Sequence, residues 1–199
     1  MPIAINGSGT ITGVSVGGLP DGIVDTDMIA ASAVTAAKAS GSAKGITVKD
    51  QWRITSTFSG NAEPISANLE RCDTSAGLIG SAMTESSGIF TFPETGKWLI
   101  EFSTMYYISD AESRYIESFI YKTQNNASSW VEAGRNGGSV WDSDSNTYGN
   151  NYISFLFDVT DVSTHKVKFD QTCHNANVGT MGHTDRNWTH FTFTRYGDT

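Results

Sequence analysis

The chain has little cysteine, few basic residues and no long apolar run, and each shortage removes a class of protein. Cys72 and Cys173 are the only cysteines among 199 residues, too few for the disulfide framework of a small secreted domain. They pair only if their strands are neighbours, and two free, buried thiols are the expected state. Thirteen Lys and Arg stand against 21 Asp and Glu, a net charge of −8. No basic stripe exists to neutralise phosphates, so neither nucleic acid nor an anionic membrane is an expected partner. No apolar run reaches the roughly eighteen residues of a spanning helix, so membrane insertion is not expected. The opening Met1-Pro2-Ile3-Ala4-Ile5-Asn6 carries neither a basic region nor an apolar core, so no export signal is expected.

Catalytic motifs are missing too. There is no Gly-x-Ser-x-Gly, no Walker loop and no His-Glu-x-x-His, and no spacing singles out a carboxylate pair. The expectation is a non-enzymatic protein without a cofactor. Cys173-His174 with His183 and His190 is a poor zinc set, because adjacent strand residues point to opposite faces. Asp142-Ser143-Asp144-Ser145-Asn146 begins like a calcium loop. It then places Thr147 where the sixth-position glycine belongs and Ile153 where the bidentate glutamate belongs. A solvated acidic loop is expected, with a calcium site of another kind as the alternative; no metal is assigned.

Residues 1–50 lack Phe, Tyr, Trp and Cys altogether. Built from Gly, Ala, Ser, Thr, Val and Ile, they cannot bury enough apolar area to fold alone. Ile3, Ile5, Ile11, Val14 and Val16 are spaced as short strands broken by glycines, and are the candidate anchoring residues. Leu19-Pro20-Asp21-Gly22 signals a turn. Thr26 or Asp27 caps a short Ala-rich helix ending near Lys38, too short to be stable in isolation. Ordering by self-packing or by a larger assembly is expected, against the plainer reading of a flexible leader. Gly41, Ser42 and Gly45 read as a hinge, giving an extended segment over 1–45 and a head over 46–199.

What the rest contains is strand. Twenty glycines, seven tyrosines and ten phenylalanines, with 17% charged residues, favour an all-β protein. The centre is Gly88–Tyr106. Phe90 and Phe92 share one face; Pro93 and Gly96 end that run; Trp98, Ile100 and Phe102 share a face of the next. The two runs form a hairpin or a tight corner with four aromatics aimed at one core. Trp52–Phe58, a weaker run at Ile65–Cys72, Tyr115–Tyr121, Tyr152–Val159, His165–Phe169 and Trp188–Arg195 are further strands, with a polar turn at Glu85–Gly88. Both faces of Tyr115–Tyr121 are half apolar, as where one face meets a core and the other a subunit. Two polar stretches, Lys122–Asn151 and Asn175–Arg186, are expected to be long loops of functional interest. Trp130, Trp141 and Tyr148 lie in the first of them. Its Gly, Asn and Ser suit recognition of a sugar or protein surface, whereas the plainer reading has the aromatics capping the domain end, the reading favoured for Trp130.

The aromatic-x-aromatic-Pro at Phe90–Pro93, the short polar insert and the Gly-x-aromatic-x-apolar at Gly96–Ile100 resemble the complement globular-head family of the tumour-necrosis-factor-like jelly rolls. The aromatic strand at Trp52, the Tyr152–Asp158 strand leading to Val167-x-Phe169, and the closing Phe191-Thr192-Phe193 follow the same order. The resemblance covers about residues 50–199 and implies a jelly-roll sandwich of about ten strands, trimeric through aromatic-rich inner sheets. The insert at 115–149 and the absence of a collagen-like stalk depart from the family. Residues 19–38 resemble short units of bacteriophage fibre proteins that join an attachment end to a distal head. Together these imply a homotrimeric virion fibre or surface-decoration protein, on head or tail. Its N-terminus would meet other virion proteins, and its head would face a host-surface glycan or protein. A free lectin-like module of the same fold is the alternative.

Overall fold

The computed structural model describes residues 45–141 and 145–199, together with two short strands, β1 (Ala4–Ile5) and β2 (Ile11–Thr12). β1 and β2 pair antiparallel with Ile5 opposite Ile11. The expected helix near Asp27–Lys38, and Ile3, Val14 and Val16, lie outside the described residues.

From Val48 the described chain is all strand and turn. In order come β3 (Val48–Ile54), β4 (Ser56–Ser59), β5 (Leu69–Arg71), β6 (Leu78–Ile79), β7 (Thr84–Ser86), β8 (Ile89–Thr91) and β9 (Gly96–Ile108). Then follow β10 (Ser113–Thr123), β11 (Val131–Val140), β12 (Thr147–Val159), β13 (Lys166–Cys173), β14 (Gly179–His183) and β15 (His190–Gly197). Two antiparallel sheets face each other. The smaller is ordered β11-β10-β13-β8-β7. The larger has β9 at its centre, β12 along one edge of it, and β14 and β15 in succession along the other. Beyond these lie β4 and β3, then β5 and β6. The chain crosses between sheets at β6–β7, β8–β9, β9–β10, β11–β12, β12–β13 and β13–β14. That alternation is a jelly roll.

The central stretch explains the crossing. Phe90 pairs with Val167 in the smaller sheet while Trp98 pairs with Phe157 in the larger, so Pro93–Gly96 makes a corner and not a hairpin. A proline cannot donate to either ladder, which frees the chain to change sheets there. The predicted inward residues Phe90, Phe92, Trp98, Ile100 and Phe102 are all buried. With Phe169, Phe191 and Phe193 they form the main core between the sheets. A smaller core of Tyr106, Ile108, Ile116, Val140, Cys173 and Val178 fills one end. Between the two lies a buried polar layer. Ser118 Oγ donates to Gln171 Oε1 at 2.6 Å and lies 3.0 Å from Thr104 Oγ1, and Asn151 Nδ2 donates to the Ile116 carbonyl. Both cysteines are free and buried.

Three loop expectations give way. The Lys122–Asn151 stretch contains β11 and the start of β12, the Asn175–Arg186 stretch contains β14, and the Glu85–Gly88 turn is half strand. Glycine hid the first. A Cβ at Gly138 would lie 2.6 Å from the Tyr106 hydroxyl, and one at Gly149 would strike the Tyr106 ring. Tyr106 therefore fills the seam between β11 and β12 only because both strands lack side chains there.

At the opposite edge, Asp50 is fully buried and ties three elements together. Its carboxylate accepts from Arg71 Nε at 2.8 Å, Arg71 Nη2 at 3.2 Å and the Met83 amide at 2.8 Å, and the Arg71 guanidinium lies 4.6 Å from the Trp52 ring centre. Asp50→Ala is expected to lower stability by about 2–4 kcal/mol in urea titrations, because a buried amide and a half-covered guanidinium lose their acceptor. A loss below about half a kcal/mol, the scale of an ordinary surface change, would contradict this.

Candidate interaction surfaces

The register of β9 defines two poles. At Gly96 it meets Val159 and at Lys97 it meets Gly197, close to where residues 45–48 enter the domain. At Ile108 it meets Thr147, and Tyr107 meets Gly179. Residues 1–44 therefore join at the first pole, and the β9–β10, β11–β12 and β13–β14 connections stand at the second. This distal pole carries Trp141, which is 68% exposed.

The three aromatics picked out from sequence are not brought together. Trp130 sits in the β10–β11 turn at the entry pole, half-buried, with Lys168 Nζ 5.6 Å from its ring centre. Trp141 is at the distal pole. Tyr148 lies within β12, not in a loop, with its ring 6.0 Å from Tyr107 and its hydroxyl 3.4 Å from Asn146 Nδ2. Asp142 and Asp144 lie outside the described residues. Cys173, His174, His183 and His190 do not converge, and among the described residues no three His, Cys, Asp or Glu side chains gather closely enough to hold a metal.

Tyr148 belongs to a larger surface. Along β12, Asn151, Ile153 and Phe157 point into the sandwich, so Tyr148, Tyr152 and Leu156 point out, each about half exposed. Leu156 is level with Leu99, Tyr152 with Ser103 and His190, and Tyr196 on β15 is equally exposed. The outward face of the larger sheet thus carries tyrosines and a leucine around a polar rung of Gln51, Thr192, Glu101 and Ser154. In that rung Gln51 Nε2 donates to Thr192 Oγ1 at 3.0 Å, and the Tyr152 hydroxyl donates to Glu101 Oε1 at 2.6 Å; this second bond, helped by partial burial, pushes the Tyr152 phenol up from its usual value. Burial holds the His190 imidazole below its ordinary value, so its ring adds no charge to the strip at neutral pH. At the entry margin Lys97 and Asp158 pair at 3.1 Å in solvent. Tyrosine-rich, charge-poor, flat surfaces of this kind suit protein contacts.

No family model matches the chain, and no curated protein matches it. Solved structures do. The Eiger TNF structure from S. frugiperda superposes with a TM-score of 0.58 at 8% identity, over 76% of this chain and 94% of that one. Murine APRIL at pH 5.0 gives 0.53 at 12% identity, over 74% and 98%. The fold is the tumour-necrosis-factor jelly roll. The TNF-like head uses β9, β12, β14, β15 and β3–β6 for one sheet and β7, β8, β10, β11 and β13 for the other. Identities this low carry the fold alone.

Sequence reasoning missed Tyr152, Leu156 and Tyr196 as surface residues of the TNF-like head. The signal was present: Tyr152–Phe157 is apolar on both faces, as a strand is when covered on both sides. On Tyr115–Tyr121, the other strand apolar on both faces, Arg135 lies over Phe119 and Lys168 over Tyr121 on the outer face, while Tyr115 is exposed.

Proposed function

We propose that the protein is a non-enzymatic bacteriophage virion protein, a homotrimeric fibre or surface decoration. Its N-terminal segment would attach to the particle, with a TNF-like head displayed outward. The strip of Tyr148, Tyr152, Leu156 and Tyr196 carries this reading. It sets four large, half-exposed apolar side chains on one sheet face, and the family resemblance implies a threefold contact through aromatic-rich sheets. Support for particle attachment comes from the fibre-like unit at 19–38 and from polarity: the segment joins at one pole while Trp141 is exposed at the other. In this reading Ile3, Ile5, Ile11, Val14 and Val16 engage the virion and Trp141 faces the host. Tyr148 belongs to the contact between protomers, and Trp130 is packing at the entry pole.

Light scattering tests the assembly. The full chain and a form starting at Gly45 are both expected at three times the monomer mass, 21.4 kDa for the full chain. Two monomers would sink the reading. Particles assembled with the full chain should retain it after sedimentation, and particles given the shortened form should not. Equal retention of both forms removes the anchoring role of residues 1–44.

A further inference from the structure

The outer face of the smaller sheet carries a column of aromatics along β10: Tyr115, Phe119 and Tyr121, with Glu117 between the first two. Their neighbours Ile116, Ser118 and Ile120 point inward and are fully buried. The lower part of the column is closed by the chain itself. Arg135 lies 5.6 Å from the Phe119 ring centre and Lys168 lies 4.7 Å from that of Tyr121, so Phe119 is only 7% exposed although it faces outward. The top is open. Tyr115 meets only the edge of His174, with ring centres 5.8 Å apart, and is 43% exposed.

Tyr115 lines one shallow concavity and stands beside His174, which lines another. One, of about 460 Å³, runs between Arg114, Glu117, Arg135 and the low floor at Gly137 and Gly138. The other, of about 520 Å³, lies between Glu112, His174 and Asn175. Gly137 sits opposite Glu117 in the ladder, and its lack of a side chain keeps the floor low. Both signs of charge are present, with Arg135 3.6 Å from Glu117 and 3.5 Å from Glu132, and Arg114 and Glu112 beside them, so an anionic ligand finds no net attraction. An exposed ring face beside mixed planar donors and acceptors matches a pyranose, which offers C–H groups on one face and hydroxyls that both donate and accept at its rim.

We propose that Tyr115 and its flanking grooves form a binding site for an uncharged hexopyranose, the ring stacking on Tyr115 and its hydroxyls bonding to Glu117, Arg135 and Asn175. The site rests on the reading of the head as a recognition module. It does not depend on self-association, because it lies on the sheet opposite the tyrosine–leucine strip and stays open in a monomer or a trimer. It is also separate from Trp141.

Saturation-transfer NMR on the full chain tests it, with methyl glucoside, galactoside and mannoside as probes and glucuronic acid as the charged comparison. The expected result is transfer to the ring C–H groups of at least one neutral hexoside. Affinity should fall roughly tenfold or more in Tyr115→Ala and be kept in Tyr115→Phe, as a stacking contact requires. Tyr115 is exposed and its hydroxyl supports nothing in the core, so the fold survives both changes; an unchanged thermal midpoint checks this. No transfer to any neutral hexoside at millimolar concentration overturns the proposal. So does binding that persists in Tyr115→Ala, that is lost in Trp141→Ala, or that is as tight for glucuronic acid. Light scattering of the same samples reports separately on the trimer, so failure of one reading is not mistaken for failure of the other.

Discussion

Leu156→Glu is expected to convert the proposed trimer to monomers at micromolar concentration while leaving the head folded. Leu156 is 55% exposed in the single chain and level with Leu99 on the outward sheet face, one rung in from the Lys97–Asp158 pair on that face. In a threefold contact through that face, the substitution introduces three carboxylates at once. Each loses its hydration, and of the lysines on that face Lys97 already pairs with Asp158 at the entry margin while Lys49 stands three strands away on β3. A buried carboxylate without a partner costs several kcal/mol, so a total penalty of about 5–10 kcal/mol is expected, enough to abolish a micromolar assembly. The fold itself has no stake in the side chain, because Phe155 and Phe157 on the other side of β12 face the core cluster. Light scattering and thermal unfolding together check the claim: monomer mass with a cooperative transition is expected. Val131→Glu makes the same chemical change at an exposed position of the smaller sheet and should leave the mass unaltered. A Leu156→Glu protein that stays trimeric would place the contact on another face.

The parts of this head that were legible in the sequence share one property: strict alternation with large side chains. Trp98, Ile100 and Phe102 declare their face because nothing between them is both large and apolar on the same side. Where the structure needed small residues, the signal vanished. β11 contains Gly134, Gly137 and Gly138, and glycine reads as loop because it has no strand preference of its own. Its pairing is set from outside, by Ile153 packing where a Gly134 side chain would be and by Tyr106 at Gly138. β14 is hidden likewise, since Gly179 leaves room for the Tyr107 ring. The Tyr152–Leu156 face was hidden for another reason. Alternation says which residues face apart, but not which of two apolar faces is the core, and that depends on the partner sheet.

The second large effect is expected at the centre of the sandwich. Phe191 on β15 is fully buried. Its ring centre lies 4.4 Å from Phe169, 5.0 Å from Phe102 in a stacked arrangement, and 5.8 Å from Phe90. Those partners come from β13, β9 and β8, so one side chain touches both sheets at the level where they cross over each other. Truncation to alanine removes the ring's transfer free energy and leaves a void that its neighbours cannot collapse to fill, since Phe90 and Phe169 are themselves packed on Phe193, and Phe90 on Trp52. Phe191→Ala is therefore expected to cost about 3–5 kcal/mol. Against a typical domain stability of about 5–15 kcal/mol, that removes about a fifth or more of the margin and lowers the thermal midpoint by roughly 10 °C. Phe191→Leu, which retains most of the volume, should cost about 1–2 kcal/mol. Trp141→Ala, equally drastic in side-chain size but at an exposed site, should stay within about half a kcal/mol. Denaturant titration of the three variants decides it. If Phe191→Ala and Trp141→Ala differed little, the two sheets would not be held together through this aromatic cluster. The large expected gap follows because β15 closes the larger sheet between β9 and β3, and Phe191 is where that closure meets the other sheet.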